Sequence, residues 1–216
     1  MKKQNEKIYV AGKDILILRL IKEYLPKGHS VLDAGCGAGA NMKMLKEHGY
    51  VCSGVTISEL EEKEAMSYGE VKMCNLETGL PKDFLERKFD HFIAAHILEH
   101  IFYPQNLLED LRLTAKYGGI IVVPNILFWR NRVKLFFGIW EYEEIGLMDY
   151  THSRWYSYRS LLKTLKNAGF KIKYTEATGG VFFGRGGYLA KLIDSVLLKL
   201  FPGLMGFQFY IVVEPS

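Results

Sequence analysis

Asp33-Ala34-Gly35-Cys36-Gly37-Ala38-Gly39 places an acid just ahead of glycine at every second position, directly after the apolar pair Val31-Leu32. The apolar pair reads as the end of a buried strand and the glycines as the turn into a helix. Glycine at such a turn tolerates positive φ and lets backbone approach a ligand closely. The dinucleotide fingerprint needs G-x-G-x-x-G, and this spacing is G-x-G-x-G. A pyrophosphate on a helix N-terminus favours positive surroundings, which Asp33 would oppose. A ligand with a cationic amino-acid end suits the acid. S-adenosylmethionine is one: it carries an ammonium, a sulfonium and an adenosine, and no phosphate.

The elements that must position this turn alternate. A helix is expected over Lys13 to Tyr24, stopping at Pro26. Ser30 to Asp33 is the first strand, Asn41 to His48 the helix after the glycines, and Val51 to Val55 the second strand. Ser58 caps a short helix beginning Glu59-Leu60-Glu61-Glu62, whose acids suit its dipole. Strands at Val71 to Cys74 and Phe89 to Ala95, a helix over Pro104 to Lys116 and a strand at Ile120 to Pro124 follow. Asn125 to Tyr156 then interrupts the alternation with a stretch rich in aromatics, long enough to be a lid or insert. Beyond it, Ser157 caps a helix ending at Asn167-Ala168-Gly169, and Phe170 to Thr175 and Phe207 to Val213 are strands. Between those strands, Leu189, Leu192, Ile193, Val196, Leu197 and Leu200 mark one face of an amphipathic helix over 187–201. That face is expected to dock on the domain or on a partner subunit; peripheral contact with a membrane is the other reading. Alternating strands and helices imply a mostly parallel sheet covered on both faces.

Taken together, these motifs resemble the class I S-adenosylmethionine-dependent methyltransferases, from about Lys13 to Val213. The resemblance implies an α/β fold, a Rossmann-like doubly wound seven-stranded sheet that is mostly parallel with an antiparallel last strand. It implies S-adenosyl-L-methionine as cofactor, with Asp33, Gly35, Cys36, Gly37 and Gly39 cradling its methionine end. Asn75-Leu76-Glu77 looks like the adenine-contacting turn, which points to Asn75 and Leu76. His96-Ile97-Leu98-Glu99-His100 looks like the loop after the fourth strand, so His96 would line the methyl region. Lys116-Tyr117-Gly118-Gly119 resembles the family's K-P-G-G turn, with Tyr117 in place of proline. The family's ribose-binding acid at the end of the second strand is replaced by Thr56, followed by Ile57. Cyclopropane-fatty-acid synthases show a similar G-V-T-L-S stretch. Glu59 is expected to be a solvated helix-start acid, and would substitute only if the turn brought it inward. A narrower likeness, over Pro124-Asn125 to Trp155, is to bacterial methyltransferases linked with cell-surface polysaccharide synthesis. It suggests a sugar or nucleotide-sugar acceptor.

Methyl transfer to a hydroxyl needs a base of near-neutral pKa, and histidine is the natural one. His96 and His152 are the catalytic candidates: His96 sits at the carboxyl edge of the sheet, where such folds bind ligands, and His152 lies in the insert. Trp129, Arg132, Tyr150, His152 and Arg154 are the candidate acceptor contacts, as stacking rings and anion-binding cations. His96 to His100 also matches the H-x-x-E-H zinc-peptidase pattern. Phe102-Tyr103-Pro104 cuts its helix short and a distant third ligand is required, so no metal is expected.

Size and composition bound the rest. With 216 residues, 49% hydrophobic and 24% charged, the chain suits one globular domain over 1–216, with the insert at 125–156 as an acceptor lid. A net charge of +4 is too mild to suggest nucleic acid. Three cysteines without a C-x-x-C pair, and a polar Met1 to Lys13 without an apolar leader, point to the reducing cytoplasm. The expected activity is methylation of a small molecule. A non-catalytic S-adenosylmethionine-binding accessory or sensor protein is the alternative.

Overall fold

The computed structural model describes residues 14–25 and 27–216. The expectations placed on Met1 to Lys13 and on Pro26 lie outside the described residues. In chain order the elements are α1 (Ile15–Tyr24), β1 (Ser30–Ala34), α2 (Ala40–Glu47), β2 (Val51–Thr56), α3 (Glu59–Ala65), β3 (Gly69–Met73), α4 (Lys82–Leu85), β4 (Phe89–Ala95), α5 (Pro104–Thr114), β5 (Ala115–Pro124), α6 (Trp129–Phe136), α7 (Tyr158–Asn167), β6 (Phe170–Gly179), α8 (Tyr188–Leu200), α9 (Pro202–Met205) and β7 (Gly206–Pro215). The strands form one seven-stranded sheet in the order β3-β2-β1-β4-β5-β7-β6. β7 runs antiparallel to both of its neighbours, and the pairs from β3 through β5 are parallel.

Two apolar layers sandwich the sheet, and strand periodicity assigns each residue to one of them. Leu32, Phe92, Ala94, Ile121, Phe209 and Ile211 face a core shared with α5 and α7. Val31, Ile93, Ile120, Val122 and Val212 face the opposite core, shared with α1 and α2. Asp33, one residue on from Leu32 and two from Val31, therefore falls on the α1 and α2 side. The order of strands reverses at β1 and β4, and the crevice at such a switch point is where open α/β sheets bind ligands.

The start of β5 differs from the sequence reading. The helix expected over Pro104 to Lys116 ends at Thr114, and Lys116-Tyr117-Gly118-Gly119 lies inside β5 as a bulge, not before it as a turn. Phe89 pairs with Ala115 but His91 pairs with Gly118, so β5 holds one extra residue there. Gly118 has φ +114°, and a Cβ at that position would lie 1.9 Å from the Val213 carbonyl oxygen, so only glycine fits.

α8 follows the expected periodicity. Along its apolar stripe Leu189 is 68% exposed, Val196 45% and Leu200 65%, while Leu197 is half-buried. The helix is held by its one buried residue, Asp194. The Asp194 carboxylate accepts from the backbone N–H groups of Val181 (2.8 Å), Phe182 (3.2 Å) and Gly184 (3.2 Å). A negative charge satisfied by several N–H groups at once is a strong local clamp. Asp194→Ala leaves those donors unpaired, at about 1–3 kcal/mol for each that stays dry. Amide hydrogen exchange at Val181, Phe182 and Gly184 should therefore accelerate by roughly tenfold or more in this variant. Unchanged protection at those amides would show that the clamp contributes nothing.

Candidate active site

The glycine turn takes the conformation that its residue types require. Gly35, Gly37 and Gly39 all have positive φ (+88°, +51° and +83°). The turn is pinned by the Val55 carbonyl oxygen at the end of β2, which accepts from the N–H groups of both Gly35 and Cys36 at 2.9 Å. Gly39 caps α2, and a Cβ there would press on Tyr68 and Ala65. Cys36 is buried beneath the turn, where burial pushes its thiol up, so it acts as a small apolar filler.

Asp33 lies near the carboxyl end of β1 and is 2% exposed. Its Oδ2 atom is buried without a hydrogen-bond partner. Burial pushes its carboxyl up to about 7. A buried carboxylate lacking a partner is costly, and a cationic ligand would relieve that cost.

Thr56 ends β2 and is also buried. Its hydroxyl donates to Glu61 Oε2 at 2.7 Å. Glu61 is 4% exposed, so a carboxylate does stand at the end of β2, supplied by the first turn of α3. Glu59 is not that group; it pairs with Lys63 at 2.8 Å on an exposed surface. The signal that identifies Glu61 is Ser58-x-x-Glu61, a spacing that turns the third helical residue back toward the cap. Ile57 is 45% exposed beside it. Across the next strand, Asn75 caps the short turn Leu76–Thr78 by accepting from the Glu77 N–H at 3.0 Å, and Leu76 is buried in the core.

His96 follows β4 with φ +54°, a left-handed conformation costly for a residue with a Cβ. Its backbone N–H donates to the Val122 carbonyl at 2.9 Å. Its Nδ1 lies 3.3 Å from Glu99 Oε1, and 43% of its side chain meets solvent. Desolvation pulls the imidazole down, but the hydrogen bond and charge of Glu99 outweigh it, leaving its pKa raised. Ile97 packs against Gly35, which places this loop directly beside the glycine turn.

The C-terminal part of the insert is stapled onto the same loop. The N–H groups of Ser153 and Arg154 both donate to the Glu99 carbonyl, at 2.8 and 3.0 Å. Arg154 Nε donates to the Phe102 carbonyl at 2.6 Å. His100 and His152 come together with ring centroids 4.8 Å apart, and Trp155 lies edge-on to His152 at 5.5 Å. His152 is shifted down, chiefly by desolvation, so it is neutral at pH 7. The structure thus brings His96, Glu99, His100, His152 and Arg154 together. Tyr150 is exposed, and its backbone N–H donates to the Glu143 carbonyl at 3.1 Å.

Trp129 and Arg132 are engaged elsewhere. Trp129 Nε1 donates to the Gly180 carbonyl at 3.3 Å. Arg132 donates to the carbonyls of Leu127 (2.7 Å) and Gly203 (3.2 Å). Both tie α6 to the segments flanking α8 and α9.

A reversed last strand on an otherwise parallel sheet, with a glycine turn over a buried acid at the switch point, defines the class I S-adenosylmethionine-dependent methyltransferase fold. Solved structures share it. A SAM-dependent methyltransferase from Archaeoglobus fulgidus aligns with a TM-score of 0.60 at 22% identity, covering 94% of this chain and 93% of that one. Magnesium protoporphyrin IX methyltransferase from Synechocystis, with bound SAH, aligns with a TM-score of 0.63 at 20% identity, covering 94% and 81%. The family model described as "Methionine biosynthesis protein MetW" matches residues 16–163, and the chain belongs to that family. The ubiquinone biosynthesis O-methyltransferase of Coxiella burnetii is 32% identical over 99 residues, 43% of this chain. That match spans 42% of the relative's own length.

Asp33 makes stability depend on pH. Its folded value of about 7 lies above the unfolded value of about 3.9. The protonated carboxyl therefore stabilises the ligand-free fold fully below the unfolded value, and this contribution is lost as pH rises through the folded one. Asp33→Asn cannot titrate. In thermal melts without ligand, the variant should gain on the wild type as pH rises through that window. Parallel melting curves across the series would contradict a buried, proton-holding Asp33.

Proposed function

We propose that the protein is an S-adenosylmethionine-dependent methyltransferase acting on a small-molecule or sugar-like acceptor. The observation that carries this reading is the unpaired Asp33 Oδ2 buried beneath a glycine turn, at the switch point of a methyltransferase fold. An acid of this kind repels phosphate and suits the cationic amino-acid end of the cofactor, so the residues present fit it. When bound, S-adenosylmethionine supplies a methyl group already activated for displacement by its sulfonium.

This chain's own residues then bind, orient and take up a proton. Asp33 would hold the ammonium end of the cofactor, and Gly35, Cys36, Gly37 and Gly39 would offer it close backbone. Glu61, bonded to Thr56, supplies the carboxylate that ribose hydroxyls prefer. Ile57, Asn75 and Leu76 are the residues that would hold the adenine end. On the acceptor side, His96 and His152 are the imidazoles that accept the acceptor's proton; Glu99 orients His96, and the Leu147 carbonyl orients His152 at 3.3 Å. Tyr150 and Arg154 border the acceptor, and Trp129 and Arg132 act through the placing of α6. The insert over 125–156 closes this side as a lid, which would orient the acceptor and exclude water. The O-methyltransferase relative supports an oxygen acceptor. Among the described residues no helix is long and apolar enough to cross a membrane. Three free cysteines suit the cytoplasm, where we place the protein.

Calorimetry with S-adenosylhomocysteine tests the cofactor side. Glu61→Ala should weaken binding by about tenfold or more, the worth of charge-assisted bonds to ribose. An unchanged affinity would remove Glu61 from the site. A turnover assay over pooled hydroxylated acceptors, including sugars and nucleotide sugars, tests the activity. His152→Ala should slow methylation by roughly 100-fold, the usual worth of a positioned acid or base, with cofactor affinity nearly unchanged. Normal turnover in that variant would exclude His152. Cofactor binding with no turnover on any pool would favour the sensor reading.

A further inference from the structure

We propose that Glu99, His100 and His152 form a binding site for a divalent transition-metal ion, beside the cofactor crevice. One ligand atom from each of these residues lies within 4.8 Å of the others. The hydrogen-bond partners of the two imidazoles determine which ring nitrogen carries the lone pair. His152 Nδ1 faces the Leu147 carbonyl oxygen at 3.3 Å. A carbonyl only accepts, so Nδ1 holds the proton and Nε2 the lone pair.

His100 follows the same logic through one more group. Its Nδ1 lies 3.1 Å from Thr151 Oγ1. That hydroxyl directs its single proton to Asp149 Oδ1 at 2.6 Å. It therefore meets His100 as an acceptor, and the lone pair of His100 is again on Nε2. A carboxylate acting through an intervening group to fix the tautomer of a ring is the arrangement that supports metal-ligating histidines.

Glu99 completes the set. The residue is 1% exposed. Oε1 faces His96, and Oε2 is buried with no hydrogen-bond partner. The cluster thus offers a cation two imidazole lone pairs, on Nε2 of His100 and of His152, and a buried carboxylate oxygen. Their mutual repulsion and the desolvation of the carboxylate are offset by a cation.

The donor set selects the ion. Two imidazole nitrogens and one carboxylate suit zinc, manganese, iron(II) or cobalt better than magnesium or calcium, which prefer all-oxygen shells. Bonds of about 2.0–2.2 Å require the three atoms to draw together. His152, on the insert, is the member that draws in, and with the ion held on its Nε2 the acceptor's proton passes to His96 alone. Three protein ligands leave positions open for a hydroxyl or a pair of oxygens. That last point rests on the proposed acceptor side; the ion site itself does not.

The H-x-x-E-H pattern is thus used differently from the zinc-peptidase reading. His96 is outside the ligand set, Glu99 is a ligand in place of a base, and the remaining ligand comes from the insert. The sequence reading lacked that distant residue, and the staple between the Glu99 carbonyl and residues 153 and 154 supplies it.

The test uses the full chain, dialysed against a chelator and titrated with Zn²⁺, Mn²⁺ or Mg²⁺ in a calorimeter. Zn²⁺ or Mn²⁺ should bind with one ion per chain, and Mg²⁺ much more weakly. Glu99→Gln and His152→Asn should each weaken that binding by roughly 100-fold or more, and Thr151→Val by about 10–100-fold. Affinity for S-adenosylhomocysteine should persist in all three. His152→Asn, on the insert, remains decisive if Glu99→Gln misfolds. Absence of binding to the wild type, or equal binding in wild type and His152→Asn, would overturn the site. Metal binding without methyl transfer would leave this inference standing and defeat the proposed activity; turnover without metal binding would do the reverse.

Discussion

The organising constraint of this molecule is the burial of two carboxylates at the carboxyl ends of neighbouring strands. Asp33 lies near the end of β1 and Glu99 follows β4, and each keeps one oxygen in the interior without a hydrogen-bond partner. A globular protein rarely accepts this arrangement, because an unpaired buried charge opposes folding by more than a typical hydrogen bond favours it. The remainder of the fold can be understood as what holds these groups in place. Two apolar layers clamp β1 and β4 from both faces. The Val55 carbonyl pins the turn above Asp33, and the Glu99 carbonyl pins the insert. Strain at His96, with φ +54°, is concentrated between the two acids.

The parts legible in the sequence were those governed by local chemistry. Alternating strands and helices, the glycine turn and the Ser58 and Ser157 caps depend on residues a few positions apart. β4 coincides with the reading, at Phe89–Ala95. Boundaries failed where a tertiary contact decides them. Gly118 was read as part of a turn before β5 because Lys116-Tyr117-Gly118-Gly119 resembles the K-P-G-G turn. Its real determinant is the Val213 carbonyl of β7, close to a hundred residues away in the chain, which leaves no room for a Cβ.

The site was legible in the same proportion. Asp33 and the glycines announce themselves because their spacing is the signal. Glu61 was hidden among four acids at the start of one helix, where composition favours a solvated face. Only the helical phase set by the Ser58 cap turns Glu61 inward and leaves Glu59 beside Lys63. In α8 periodicity located the helix, while the residue that holds it to the described chain is the polar one, Asp194, which no apolar pattern signals.

The histidine cluster shows why spacing alone underdetermines chemistry. His96 and His100 are four residues apart and would share a face of a continuous helix. The chain forms only a single 3-10 turn there, at Leu98–His100, and the left-handed His96 breaks the phase before it. The two imidazoles consequently have different partners. His96 faces Glu99 Oε1, and His100 faces the insert through Thr151. Glu99 stands between them, one oxygen on each side, with its backbone carbonyl holding the insert. Any movement of the insert that shifts His152 must act on the same residue that orients His96. The insert and the imidazole that follows β4 are therefore joined through one residue, Glu99, by its backbone carbonyl and its side chain.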